Sequence, residues 1–207
     1  NQALTIDSGK LDSSTAGSIT TVLPGSTLTA RSHGRDIVNL QSGSKGGFLA
    51  GGSLQIDTRG GRLDNGSGGH LGAIGAMDLS AASILNQSGT IAAEGNIGLR
   101  STSAGGIGLD NSAGTIQAKA SDITIAAGSA DINNQAGHIV ADRDLSITTT
   151  GRISNQRGEM TAGQAMTVTD SAGITNTDGT LHAGQRLALR NTSVSGDGKL
   201  LSDRDLE

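Results

Sequence analysis

The chain has no cysteine, no tryptophan and no tyrosine, a single phenylalanine (Phe48) and a single proline (Pro24). Lack of cysteine excludes disulfides and thiolate metal sites, and it suits a protein that crosses an oxidising compartment unfolded. Lack of aromatics removes the bulky side chains that usually fill a compact two-layer core. Hydrophobic residues make up only 34% of the 207, so a core of different geometry is expected. No run of about 18 apolar residues occurs, and no membrane insertion is expected from any segment. The opening "NQALTID" carries no signal-peptide pattern. Fifteen Lys and Arg stand against 19 Asp and Glu, a net charge of -4, which gives no electrostatic case for a nucleic acid or anionic membrane partner.

What the chain does have is glycine, 33 residues of it, and repetition. The pattern [IL]-x-N-x-x-G-x-[ILM]-x-A occurs five times without a gap. Its asparagines are Asn86, Asn111, Asn134, Asn155 and Asn176, and its glycines Gly89, Gly114, Gly137, Gly158 and Gly179. The apolar residue then falls at Ile91, Ile116, Ile139, Met160 and Leu181, followed by Ala93, Ala118, Ala141, Ala162 and Ala183. A sixth copy around Asn65 carries one inserted glycine before Leu71 and Ala73. From Asn65 onward the asparagines lie 21, 25, 23, 21 and 21 residues apart. Upstream of each sits an alternating pair: Leu54/Ile56, Met77/Leu79, Ile97/Leu99, Ile123/Ile125, Leu145/Ile147 and Met166/Val168.

Alternation at period two is a strand signal. Glycine punctuates every run and Ile, Val and Thr fill them, which disfavours helix. Even "AIGAMDLSAAS" keeps the repeat register and is read as strand. Three short strands per period of roughly 20–26 residues describe one coil of a parallel β-helix. Coil starts near Leu4, Leu28, Leu54, Met77, Ile97, Ile123, Leu145, Met166 and Leu187 imply about nine coils. At about 4.8 Å per coil the rod would be on the order of 40 Å long.

Parity assigns the asparagine. In Ile153-x-Asn155 both side chains share one strand face, so an inward Ile153 carries Asn155 inward at the end of its strand. A buried amide costs roughly 1–3 kcal/mol unless bonded, a need that stacked asparagines meet among themselves. The alternative is an outward turn asparagine in the left-handed region. The glycine three positions on is expected to supply the positive φ of the turn.

The array divides into irregular coils over 1–53, regular repeats over 54–186 and an irregular final coil over 187–207, all in one solenoid segment. In the first coil Ser13 or Ser14 stands where asparagine would be. Residues 30–52, "ARSHGRDIVNLQSGSKGGFLAGG", depart furthest from the pattern and gather Arg31, His33, Arg35, Lys45 and Phe48. They form a candidate loop for binding a host glycan or a receptor protein, since loops on rigid scaffolds often carry function; the other reading is a longer solvated turn with Phe48 tucked into a wider coil. "STSAGGIGLD" should add a glycine-rich bulge before Asn111. "SDRDLE" repeats "ADRDLSI", so both ends read as cut from a longer array, and exposed strand edges would favour end-to-end self-association.

Catalytic signatures are missing: no G-x-S-x-G, phosphate-binding loop, H-E-x-x-H or metal-spaced histidine pair occurs. His33, His70, His138 and His182 fall at unrelated repeat positions. Asp142/Asp144 and Asp203/Asp205 recur beside Arg143 and Arg204, which marks surface strand ends rather than an acid/base pair. No catalytic residue, cofactor or metal is expected. Sugar-degrading β-helices would need clustered acids and aromatic platforms, and neither is present.

The L-x-[IL] strand, the I-x-N-x-x-G core and the apolar-x-A-G ending together resemble the haemagglutinin repeat of filamentous haemagglutinin and related two-partner-secretion exoproteins. The copies from Leu54 to Gln185 carry the resemblance. It implies a right-handed β-helical shaft in a secreted or surface-attached protein of a Gram-negative bacterium, serving adhesion and virulence or contact-dependent growth inhibition. It further implies an outer-membrane transporter as export partner and a host or target-cell receptor.

Overall fold

The computed structural model describes residues 3–9, 11–12, 18–40 and 47–207. Among these residues every regular element is a strand, and all strand pairings are parallel. The strands form three sheets of ten, nine and nine members, and each strand pairs with its equivalents in the coils before and after. One coil shows the plan. Met77–Ala81 lies in the first sheet, Ile84–Leu85 in the second and Thr90–Ala93 in the third. The next coil then begins with Ile97–Ser101, in register with Met77–Ala81. The chain is therefore a β-solenoid of about nine coils, and "AMDLSA" is strand because its Met77 and Leu79 continue an inward column.

Three such columns make the core. In the first sheet Leu28, Leu54, Met77, Ile97, Ile123, Leu145, Met166 and Leu187 stack on one another, all essentially without solvent exposure. In the second sheet Ile37, Leu63, Ile84, Leu109, Ile132, Ile153 and Ile174 do the same. In the third, Phe48, Leu71, Ile91, Ile116, Ile139, Met160 and Leu181 alternate with a column of alanines from Ala50 to Ala183. Burial of each Ile or Leu contributes roughly 1.5–3 kcal/mol before entropy. A one-dimensional core needs no aromatic bulk, because every layer is sealed by identical layers above and below. The small alanines let the third wall meet the first where the cross-section narrows.

Irregularity is local. The register slips between Ile107 and Leu109 where "AGGIG" enters the second sheet, and again between Ala126 and Gly128 one coil later. Those two slips absorb the two longest asparagine intervals from Asn65 onward without disturbing the columns on either side.

Candidate functional site

The corner joining the second sheet to the third is the most repetitive chemistry in the molecule. Seven asparagines occupy it, each almost fully buried: Asn39, Asn65, Asn86, Asn111, Asn134, Asn155 and Asn176. From Asn39 to Asn155 each Nδ2 donates to the Oδ1 of the asparagine one coil on, and Asn176 Nδ2 donates to Lys199 O at 3.1 Å. The distances are 2.6 Å for Asn39 to Asn65 and Asn65 to Asn86. They are 2.7 Å for Asn86 to Asn111, Asn111 to Asn134, Asn134 to Asn155 and Asn155 to Asn176. The second Nδ2 proton reaches a backbone carbonyl of that next coil, such as Thr115 O from Asn86 or Thr180 O from Asn155, at 3.1 Å. No buried side-chain nitrogen or oxygen among the described residues lacks a partner. The amides thus run as one continuous hydrogen-bonded wire beside the aliphatic columns.

The glycines of this corner act differently from the expectation stated above. Positive φ falls one residue earlier, on Ser88, Ala113, Ala136, Arg157 and Asp178, at 53° to 56°. Gly89, Gly114, Gly137, Gly158 and Gly179 are required for closeness instead. A methyl on Gly89 would overlap the backbone oxygen of Asn65 and stand 2.6 Å from Asn86 Oδ1, and the other four meet the same obstacles. The turn packs so tightly against the preceding coil that a side chain has no room, whatever the dihedral.

Two further corners went unread in the sequence. Between the first and second sheets, Ser32, Thr58, Ser101 and Thr149 are buried hydroxyls. They donate to backbone carbonyls: Ser32 to Thr58 O at 3.0 Å, Thr58 to Gly61 O at 2.6 Å, Ser101 to Ala82 O and Thr149 to Ala130 O at 2.7 Å. Small Ser or Thr two residues beyond an inward apolar position was the available signal. Between the third and first sheets, Asp122 Oδ1 accepts the N–H of Asp144 at 3.2 Å, and Asp144 Oδ1 accepts that of Ala165 at 3.0 Å. Asp144 therefore holds the coil above it in place. Asn39 was also missed, although Ile37-x-Asn39 fits the start of the pattern; the long stretch between it and Phe48 hid the corner.

The four described residues of the candidate binding loop do not form one patch. Phe48 is fully buried in the third-sheet column, paired in register with Ile19 and Leu71. Its assignment as a binding residue is therefore corrected: it takes the place that leucine or isoleucine fills elsewhere. Arg31 lies in strand Thr27–Ser32 of the first sheet. His33 and Arg35 sit in the bend that follows, exposed, and His33 Nε2 contacts Asp7 Oδ1 at 2.7 Å. Lys45, Ser13 and Ser14 lie outside the described residues.

The histidines also need a correction. His70 and His138 occupy the same repeat position, three coils apart, with Thr90 and Thr115 between them. That separation is about 14 Å, too far to share a ligand. Burial pushes the His70 imidazole below its ordinary pKa. His138 contacts Glu159 at 3.2 Å and His182 contacts Asp203 at 3.4 Å, all on the surface. Asp36 bridges coils differently: it accepts the Arg62 backbone N–H at 2.8 Å and the guanidinium at 2.9 and 3.0 Å. Those bonds, the backbone one foremost, hold its carboxyl below the usual range. Among the described residues no group of three or more His, Asp or Glu is arranged to hold a metal ion.

A family model described as the haemagglutinin repeat matches residues 49–111 and 103–206. No curated protein and no solved structure matches the chain.

Proposed function

From the premise that the chain belongs to the haemagglutinin-repeat family, we propose that it is a shaft segment of a large secreted or surface-attached bacterial protein, providing reach and rigidity for adhesion or toxin presentation. The observation that carries this reading is the unbroken amide wire from Asn39 to Asn176 alongside three aliphatic columns. Every coil is written to seat the next, and nearly all of the repeated chemistry faces inward. A protein built for catalysis places special residues once; here the special residues recur at every turn.

In this reading, export proceeds through an outer-membrane transporter and each emerging coil folds on the one before, so nearest-neighbour stacking supplies the folding free energy without a nucleotide-driven motor. Gram-negative origin and two-partner secretion are part of the same proposal. The test is a phase-keeping deletion. Removing Asn155–Thr175 joins Ser154 to Asn176 and removes one interval of 21 residues. The shortened chain should keep a strand-type circular dichroism spectrum and a cooperative melt. Removal of half that interval should unfold the region. An unfolded chain after the phase-keeping deletion would reject stepwise coil stacking as the basis of the shaft.

A further inference from the structure

Gly66 has no reason in the fold to be glycine. Its φ lies outside the left-handed region. A Cβ built there would meet Asp64 Oδ1 at 3.2 Å and Gln87 Oε1 at 3.5 Å, both ends of movable side chains, and backbone only at 3.6 Å. At Gly69, by contrast, a Cβ would stand 2.1 Å from the Asn39 backbone oxygen. In the later coils the residue after the ladder asparagine is Gln87, Ser112, Gln135, Gln156 or Thr177. Ser112 and Gln135 make the same turn bond as Gly66. Their N–H groups donate to Asp110 Oδ1 and Asn133 Oδ1 at 3.1 Å, as that of Gly66 donates to Asp64 Oδ1. The corner demands Asn65 but not a glycine after it.

What the glycine alters is chemistry. Asn65–Gly66 is the only Asn–Gly pair in the sequence. The backbone nitrogen that follows an asparagine can attack the side-chain carbonyl carbon, and a side chain on the attacking residue hinders the approach where glycine does not. Attack of Gly66 N on Asn65 Cγ forms an N–Cγ bond and closes a five-membered succinimide. The Cγ–Nδ2 bond breaks, and the nitrogen leaves as ammonia with the Gly66 amide proton. Water then opens the ring at one of its two carbonyls, leaving aspartate or isoaspartate. One water is consumed and one ammonia released, with no oxidant or reductant.

The stacked coil blocks each part of this reaction. Asn65 is fully buried. Its Oδ1 accepts from Asn39 Nδ2 at 2.6 Å, and its Nδ2 faces Asn86 Oδ1 at 2.6 Å, Thr90 O at 3.1 Å and Gly69 O at 3.2 Å. Turning the amide toward Gly66 N breaks those bonds, and the attacking N–H is itself held by Asp64. A chain whose coils are not yet stacked has none of this protection.

We propose that Asn65–Gly66 is a self-deamidation site controlled by coil stacking, silent in the rod and reactive in any chain left unfolded. Aspartate at position 65 puts a buried negative oxygen where Nδ2 faced three acceptor oxygens. Isoaspartate also lengthens the main chain by one methylene and shifts the strands beyond it out of register. Either product breaks the wire between Asn39 and Asn86, so a chain that waits too long before stacking loses the ability to stack. The site goes beyond the shaft reading; a rod that forms and never deamidates leaves that reading intact.

The test incubates the full chain in mildly alkaline buffer with and without urea. Peptide mass spectrometry follows the mass, and enzymatic methyl transfer detects isoaspartate. The peptide holding Asn65 should become one mass unit heavier at least about tenfold faster in urea than in the folded chain, and ahead of the peptide holding Asn111. After dilution from urea, recovery of the strand circular dichroism should fall in step with the modified fraction. Gly66→Gln, which installs the residue found at that place in three later coils, should melt like wild type and refold as well after long incubation as when fresh. Asn65→Asp should fail to regain the native melt from the outset. The proposal is overturned if the folded chain reacts as fast as the unfolded one, or if Asn65 reacts no faster than Asn111 in urea. It is equally overturned if modified chains recover the wild-type melt, or if Gly66→Gln loses refolding as wild type does.

Discussion

Asn134 Nδ2 donates to Asn155 Oδ1 at 2.7 Å across 21 residues of sequence. Asn155 in turn donates to Asn176 at the same distance. Each asparagine is at once acceptor for the coil below and donor to the coil above, so removal of one injures two neighbours.

Asn155→Ala should therefore be costly. It strands the Asn134 donor and the Asn176 acceptor inside the core, and each buried unsatisfied group costs about 1–3 kcal/mol. Urea unfolding should show a loss of at least about 2 kcal/mol. Lys119→Ala, which removes an exposed pair with Glu94 at 3.2 Å, should lie within about 0.5 kcal/mol of wild type. Equal stability of the two variants would remove the ladder from the account.

The corner makes a second, less intuitive prediction. Ala136 carries the positive φ of 53°, while Gly137 carries the close approach to Asn111 and Asn134. Gly137→Ala should destabilise strongly, because the obstacle is backbone rather than a movable side chain. Ala136→Gly should be neutral or stabilising, because the left-handed region costs a non-glycine residue roughly 1 kcal/mol. Melting temperatures that ranked the two variants the other way would return the glycine to the turn-dihedral role.

Phe48→Ala should cost about 3–5 kcal/mol, as for other buried aromatics, and Phe48→Leu much less, since Leu71 fills the next place in its column. Thermal unfolding of both variants checks this. A harmless Phe48→Ala would contradict its burial.

His70 gives a pH signature. Burial lowers its folded-state pKa below the ordinary 6.5, so the unfolded chain takes up the proton first as pH falls. Its stabilising contribution is complete above that range and is lost on acidification. Between about pH 7 and 5, wild type should lose more melting temperature than His70→Gln. Asp36 acts in the same direction but lower: its depressed carboxyl stabilises above the ordinary 3.8 and ceases to as pH falls below it. Parallel pH profiles for wild type and His70→Gln would show that His70 titrates as it does in the unfolded chain.

The periodic half of this structure was legible because a solenoid repeats its constraints. Asn86 and Asn111 needed the same neighbours, so the sequence spelled the corner the same way each time. Residues acting by closeness were less legible. A glycine needed for φ and one needed for room look alike in a sequence, and Gly89 and Ser88 were told apart only by where Asn65 lies. Asn39 and Phe48 were obscured because the long connection between them broke the spacing, although inward burial assigned both to ordinary columns.

The most direct test of the central claim is small-angle X-ray scattering on the chain beside a version with Asn111–Thr175 duplicated in tandem. That duplication adds three complete coils, each ending where the next asparagine begins. A rod whose length is counted in coils should gain about 14 Å in maximum dimension while its cross-section stays constant. A wider cross-section, or an expanded and unfolded profile, would contradict the reading of this chain as a shaft.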